Sequence, residues 1–444
     1  MPSFQVITFG CKVNQYESAA MAEALETLGF APGPPGAGPD LVIVNTCTVT
    51  ARADQQARQA IRRLARQYPG ARLWVTGCYA QRDPLTLSSL PGVARVWGNR
   101  EKLRLAAMVG SAGWEDGGPL VQVQALDSQE PFQPLPVSRF PGHTRAWLKV
   151  QDGCSHACSY CIVPSVRGPG RSLAPESVLS SLETLAARGF QEVVLTGIDL
   201  GQYGRDLAAP EDLAGLLRRL ARTDWPWRLR LSSLEPQEIT AELAAALSAL
   251  PGLCPHFHLP MQSGSPGVLR AMGRPYQPEH FRELVMDLHR RFPTAALGLD
   301  VLVGFPGESA ADFEATRRLV EALPVAYLHV FPFSPRPGTP AQALRRLPGK
   351  EVQRRAKVMQ ILNRNKKAAF YQGQVGQVGE VLVEGPVPGR PGWLKGLSAN
   401  YLRVLLPGPE DWRNRRLNVR FLQVAEGMLV SEVLGSGRAV VEEN

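Results

Sequence analysis

Short apolar, β-branched runs punctuate the first hundred residues of this 444-residue chain. Phe4 to Phe9 (FQVITF), Leu41 to Val44 (LVIV) and Leu73 to Val75 (LWV) read as buried strands, and amphipathic stretches at helical spacing lie between them, which predicts a parallel sheet of βαβ units. After Gly110 the pattern lapses, and SAGWEDGGPL and then QEPFQPLPVSRFPG read as an extended linker. From about Thr144 it resumes. Strands are expected over Ala146 to Val150, Glu192 to Thr196, Arg228 to Ser232, His256 to Pro260, Gly298 to Val303 and Tyr327 to Phe331, with helices such as Ala174 to Arg188 and Glu279 to Arg291 between them. Six such units make a partial (β/α)6 TIM barrel, with reactive residues on loops at the C-terminal strand ends.

A basic helix, Glu351 to Lys367, then precedes a change of period. Gln377 to Val383, Leu402 to Leu406, Leu417 to Val424 and Met428 to Leu434 are short strands between Gly and Pro turns, the mark of a small β-barrel. The expected class is α/β: an open parallel α/β domain (1–125), a partial barrel (140–369) and a C-terminal β-barrel (370–436). Hydrophobic content of 44% is ample for two or three cores. A net charge of +9 favours a polyanionic partner, although a diffuse basic surface also occurs without one. No secretory pattern opens the chain and no apolar run nears a membrane span, so a reducing, cytoplasmic setting and no membrane partner are expected.

Six of the seven cysteines change the picture. Cys154, Cys158 and Cys161 stand in GCSHACSYC, and three thiolates on a cube of four irons leave one iron free to bind a small molecule. A zinc site using His156 is the rival reading. Cys11, Cys47 and Cys78 each follow one of the first-domain strands, and ligands in open α/β sheets gather outside the carboxyl ends of strands, so these three converge in space. Cys254 fits neither set and reads as a buried free thiol.

The CxxxCxxC spacing with Tyr160 before its last cysteine, together with TFGCKVNQYES, VNTCTVT and VTGCYAQ, resembles the radical S-adenosylmethionine (SAM) methylthiotransferases. Within that family CKVNQYES, LSSLEP and CPHFHLPMQSGS look most like the branch acting on N6-threonylcarbamoyladenosine in tRNA; sister branches act on isopentenyladenosine or a ribosomal protein. The resemblance implies a radical SAM barrel, two 4Fe-4S clusters on the two cysteine triplets, and SAM. It also implies tRNA, a one-electron donor such as a flavodoxin or ferredoxin, and a sulfur source as partners. Tyr160, Gly197, Ser232, Ser233, Glu235, Gln262, Phe333 and Arg171 become cofactor-binding candidates, and Asp300 another strand-end group. Ser232, Ser233 and Glu235 read equally well as helix caps. Arg167 is a candidate for RNA or for SAM's carboxylate, because guanidinium forks bind phosphate and carboxylate in two places. Leu173 stands where many relatives carry a further Arg. His256 and His258 read as structural. The C-terminal barrel resembles the TRAM domain, which makes Trp393, Lys395, Asn400, Tyr401 and Arg403 its RNA candidates.

Overall fold

The computed structural model describes residues 1–33, 38–110, 120–126, 131–209 and 211–434. Most of the first expected linker segment (111–119), the first two residues of the second (129 and 130) and residues 435 and 436 of the expected C-terminal barrel lie outside them.

The first sheet contains six parallel strands: β1 (Ser3–Thr8), β2 (Ala31–Pro32), β3 (Leu41–Thr46), β4 (Arg72–Gly77), β5 (Val93–Trp97) and β6 (Leu120–Gln122), in the order β2-β1-β3-β4-β5-β6. All of β3 is buried, as its unbroken apolar run requires, because helices cover both faces of the sheet. On one face α2 (Ala51–Gln67) packs Ala57, Ile61 and Leu64 against Val42 and Val75; on the other α1 (Lys12–Thr27) packs Met21 and Leu25 against Ile43. Thr50 caps α2 by accepting a hydrogen bond from the Ala53 amide. Leu120, read as linker, instead opens an edge strand paired with β5, since its neighbours Val121 and Gln122 find free ladder groups there.

The central barrel is built from β7 (Arg145–Lys149), a two-residue ladder of β8 (Gln151–Asp152) with β9 (Arg171–Ser172), and then β10 (Glu192–Thr196), β11 (Arg228–Leu231), β12 (His256–Gln262), β13 (Ala296–Val303) and β14 (Tyr327–Pro332). They form two parallel halves, β11-β10-β7 and β12-β13-β14, linked by the bridge Leu229–Leu253. Among the described residues β7 and β14 are unpaired on their outer edges, so the barrel is open along one seam. Strand alternation puts Val193, Leu195, Leu229, Leu231, Phe257, Leu259 and Leu297 into the main core. The other face carries Glu192, Arg228, Arg230, His256, His258, Asp300 and His329, so the lumen is polar and suited to a ligand.

Five antiparallel or parallel strands, β15 (Val378–Pro386), β16 (Trp393–Ser398), β17 (Arg403–Pro407), β18 (Arg416–Ala425) and β19 (Met428–Val433), close in the order β15-β16-β17-β19-β18. The strand around Trp393 escaped the sequence reading because its Gly396 interrupts the apolar alternation. This barrel sits on the N-terminal strand ends of the central one. Arg228 donates to Leu397 O (2.8 Å), Arg230 to Ala399 O (3.0 Å), and Asn414 to Gly189 O (3.0 Å). Glu192 anchors both arginines; burial pushes its carboxyl up, but Arg230 and Arg228 outweigh that and hold it at about 2. The N-terminal domain covers the opposite end, where the Ala51 amide donates to Ser334 Oγ (2.9 Å) and Arg336 pairs with Asp54 (2.6 Å).

Candidate active site between two cysteine triplets

Cys11 caps the N-terminus of α1, Cys47 follows β3, and Cys78 opens the short helix α3 (Cys78–Arg82) directly after β4. Their convergence depends on Gly10. It has φ +98°, and a Cβ there would lie 2.8 Å from Cys47 Cβ, so no other residue allows the two chain segments this close. Cys47 and Cys78 are buried, while Cys11 stays accessible. Burial pushes the Cys47 thiol up to about 12, and Cys78 and Cys11 add to the rise. Burial likewise raises Cys11, opposed by Arg167 and reinforced by Cys78. Three thiols that hinder one another's ionisation require a bound cation to become thiolates together, which is the chemistry of a metal-cluster site. Two helix N-termini pointing at the set favour the same anionic form.

Cys154, Cys158 and Cys161 lie on the loop that leaves β8, all half-buried. Cys154 donates to Asp199 (3.3 Å), and Arg274 donates to Cys158 (3.6 Å). Burial pushes Cys161 up to about 11, with Cys158 adding to it. His156 takes no place in this set. Its ring meets Asp199 (3.1 Å) and Glu238 (3.2 Å), and hydrogen bonds to these two carboxylates raise it to about 10, so the zinc reading through His156 loses its fourth ligand.

The triplets are neighbours. Cys78 packs against Ile162, the residue after Cys161, and against Val166 of the short helix Val163–Arg167. Arg167 closes the junction. It is 1% exposed, donates to Cys78 Sγ (3.3 Å), Asn14 (2.5 Å) and Glu17 (2.5 Å), and lies 3.3 Å from Asp152. Lys102 and Lys149 also pair with Glu17. The expected RNA contact by Arg167 is therefore corrected: every nitrogen is spent inside the domain junction, out of reach of a phosphate. Lys102, Lys149 and Glu17 were missed because charges from separate segments give no local pattern. Arg171 lines a cavity of about 40 Å³ with Glu17, Lys102 and Asp152, away from the central triplet.

The remaining barrel candidates do gather at the C-terminal strand ends. Tyr160 and Phe333 pack on one apolar group with Phe305, Val268 and Met272. The Gly197 amide donates to Ser232 Oγ (3.3 Å), Ser233 Oγ meets His258 Nδ1 (2.7 Å), and Glu235 pairs with Arg274 (2.8 Å). Gln262 is held at φ +62°, strain of a kind that clusters at functional sites.

Below them the lumen holds a second constellation. His258 and His329 flank Asp300 at 3.0 and 3.3 Å; burial pushes the Asp300 carboxyl up, but the two rings outweigh it and hold it at about 2. His256 meets the Tyr327 hydroxyl (2.7 Å) and stacks 4.2 Å from Tyr401, which reaches in from the C-terminal barrel at φ +69°. Lys12, beside Cys11, also faces this space; burial next to Arg230 and Arg145 lowers its ammonium to about 8. The seam opens into a cleft of about 570 Å³ lined by Arg145, Tyr327, His329, Lys367, Lys395, Tyr401 and Arg403. Two RNA candidates, Lys395 and Arg403, thus share a basic cleft. Asn400 does not present its amide to it: the side chain is buried and donates to Thr294 O (3.0 Å) and Gln374 (2.9 Å), which corrects its reading as an RNA contact. Trp393 lies apart, under Arg390 at 4.2 Å.

Residues 3–98 match the model of the uncharacterized protein family UPF0004, and residues 148–320 that of the radical SAM superfamily. The fold agrees with a solved structure, the radical SAM methyltransferase TsrM from Kitasatospora setae (TM-score 0.55, 19% identity, 77% of this chain and 74% of that one). A cysteine triplet on a half-open parallel barrel of this form defines a radical SAM enzyme. The chain is 34% identical over 434 residues, 96% of each chain, to the threonylcarbamoyladenosine tRNA methylthiotransferase of Bacillus subtilis (strain 168). It is 37% identical over 343 residues, 76% of this chain and 69% of the other, to the tRNA-2-methylthio-N(6)-dimethylallyladenosine synthase of Parafrankia sp. (strain EAN1pec). The chain belongs to the radical SAM methylthiotransferase family.

Proposed function

We propose that this enzyme adds a methylthio group to carbon 2 of N6-threonylcarbamoyladenosine beside the anticodon of tRNA. The observation that carries the reading is the contact of Cys78 with Ile162, which sets the two triplets side by side at one end of the lumen. Each triplet supplies three thiols, so each fits a 4Fe-4S cluster with one iron lacking a protein ligand, and SAM fits the free iron at Cys154, Cys158 and Cys161. Clusters and SAM supply the methyl group and the radical activation of a C–H bond that acid–base groups cannot ionise.

The chain's own residues bind and orient. Tyr160 and Phe333 offer an apolar wall for SAM's adenine, with Gly197, Ser232 and Glu235 as polar contacts around it. The N-terminal domain covers the strand ends and excludes water. Lys367, Lys395 and Arg403 hold RNA phosphates along the seam, and Tyr401 and Tyr327 offer ring faces to a base. A one-electron donor such as a flavodoxin or ferredoxin and a sulfur source complete the system, which operates in the cytoplasm. The Parafrankia relative keeps dimethylallyladenosine as the second reading. Anaerobically reconstituted protein, incubated with SAM, sulfide, reductant and either modified tRNA, decides between them: product on the threonylcarbamoyl substrate supports the proposal, and product on the dimethylallyl substrate alone overturns it.

A further inference from the structure

The lumen holds one cation too many. Arg228 and Arg230 are neutralised by Glu192 at 2.8 and 2.7 Å, Arg145 pairs with Glu384 at 3.0 Å, and Asp300 is engaged by His258 and His329. Lys12 faces the same groups from the first turn of α1, yet among the described residues its ammonium has no hydrogen-bond or ion-pair partner. An ammonium held off bulk water without a counter-charge is costly, and a bound anion relieves that cost. Its place next to Cys11 puts such an anion on the substrate side of the N-terminal triplet, within the lumen that also holds His256 and His329. The carboxylate of an amino-acid side arm on an adenine has the right charge, and an aliphatic arm leaves the ammonium unpaired.

We propose that Lys12 receives the carboxylate carried by the N6 substituent of the substrate adenosine, and so selects an anionic arm over an aliphatic one. This rests on the threonylcarbamoyl reading above. A charge-assisted pair of this kind is strong and directional, so its loss is measurable in binding alone. The Lys12 side chain holds up no other described group, and its replacement removes charge from the lumen without stripping a partner from a neighbour.

The test uses anaerobic, cluster-loaded, full-length protein and anticodon stem-loop RNAs bearing the threonylcarbamoyl acid, its methyl ester or a dimethylallyl group. Wild type is expected to bind the acid about tenfold or more tighter than the ester. Lys12→Met is expected to bring that ratio close to one, and Lys12→Arg to keep most of it. A wild-type ratio near one overturns the inference without recourse to any variant, as does a Met variant that keeps the ratio. Equal weakening of acid and ester by Lys12→Met assigns Lys12 to a phosphate and also overturns it. Methylthiolation of the threonylcarbamoyl RNA despite an acid-to-ester ratio of one rejects this inference alone; product on the dimethylallyl RNA only rejects the functional reading beneath it.

Discussion

Arg167 of the central barrel donates its Nε–H to the sulfur of Cys78 across 3.3 Å, so a guanidinium of one domain touches a thiol of the other. The same group is clamped by Glu17 and Asp152. Arg167→Met leaves Glu17 facing two lysines in a site built for three cations and breaks a buried network, a change worth about 3–5 kcal/mol. Denaturant unfolding of the apo protein checks the magnitude. Arg167→Lys keeps the charge but not the fork, and a redox titration followed by EPR is expected to show a lower potential for the N-terminal cluster with the central cluster unmoved, because hydrogen bonds to cluster sulfur raise potential.

Iron content separates the two sites. Reconstituted wild type is expected to hold roughly eight irons per chain, and replacing Cys154, Cys158 and Cys161 by Ala to remove about half. Replacing Cys11, Cys47 and Cys78 removes the other half and abolishes methylthio product, yet leaves reductive SAM cleavage. Full iron in that second variant contradicts the placement of the N-terminal cluster.

Lys395 and Arg403 line the basic cleft without buried partners of their own, which makes them better probes than removal of the whole C-terminal barrel. Deleting the barrel uncovers Arg228 and Arg230, whose donors now end on Leu397, Ser398 and Ala399 carbonyls. Lys395→Ala with Arg403→Ala is expected to weaken tRNA binding and to flatten its salt dependence, by about 0.7 in the log–log slope for each single-stranded phosphate that the protein no longer neutralises. An unchanged slope across a salt titration removes these residues from the RNA site.

Glu192 makes stability depend on pH. Its folded carboxyl sits at about 2 against an ordinary 4.5, so its contribution is complete above 4.5 and drains away as the pH falls toward 2. Glu192→Gln is expected to lower the melting temperature at pH 7 and to reduce the loss of stability between pH 5 and 3. A variant with the wild-type acid profile contradicts the role of this carboxylate.

Strand-ending cysteines and the CxxxCxxC loop were legible because both are local: an apolar run and the residue after it, or three thiols within eight positions. The barrel's parallel strands were legible for the same reason, with ends shifted by a residue or two at β7, β11 and β13. The polar lumen was not. His256 and His258 read as structural, but His258 meets Asp300 and His329 only after β12, β13 and β14 pair, and Lys12 reaches that space only because α1 packs at the seam. Arg167 and Asn400 misled for the converse reason, since a basic or polar residue in a loop looks exposed until the partner domain covers it.

The central claim is the identity of the nucleoside, and mass spectrometry of total tRNA nucleosides from a strain lacking the gene tests it most directly. The account predicts that 2-methylthio-N6-threonylcarbamoyladenosine disappears, unmethylthiolated N6-threonylcarbamoyladenosine accumulates in its place, and the gene restores the product while the Cys154→Ala variant does not. Persistence of that nucleoside, with loss of the methylthio-dimethylallyl nucleoside instead, contradicts it.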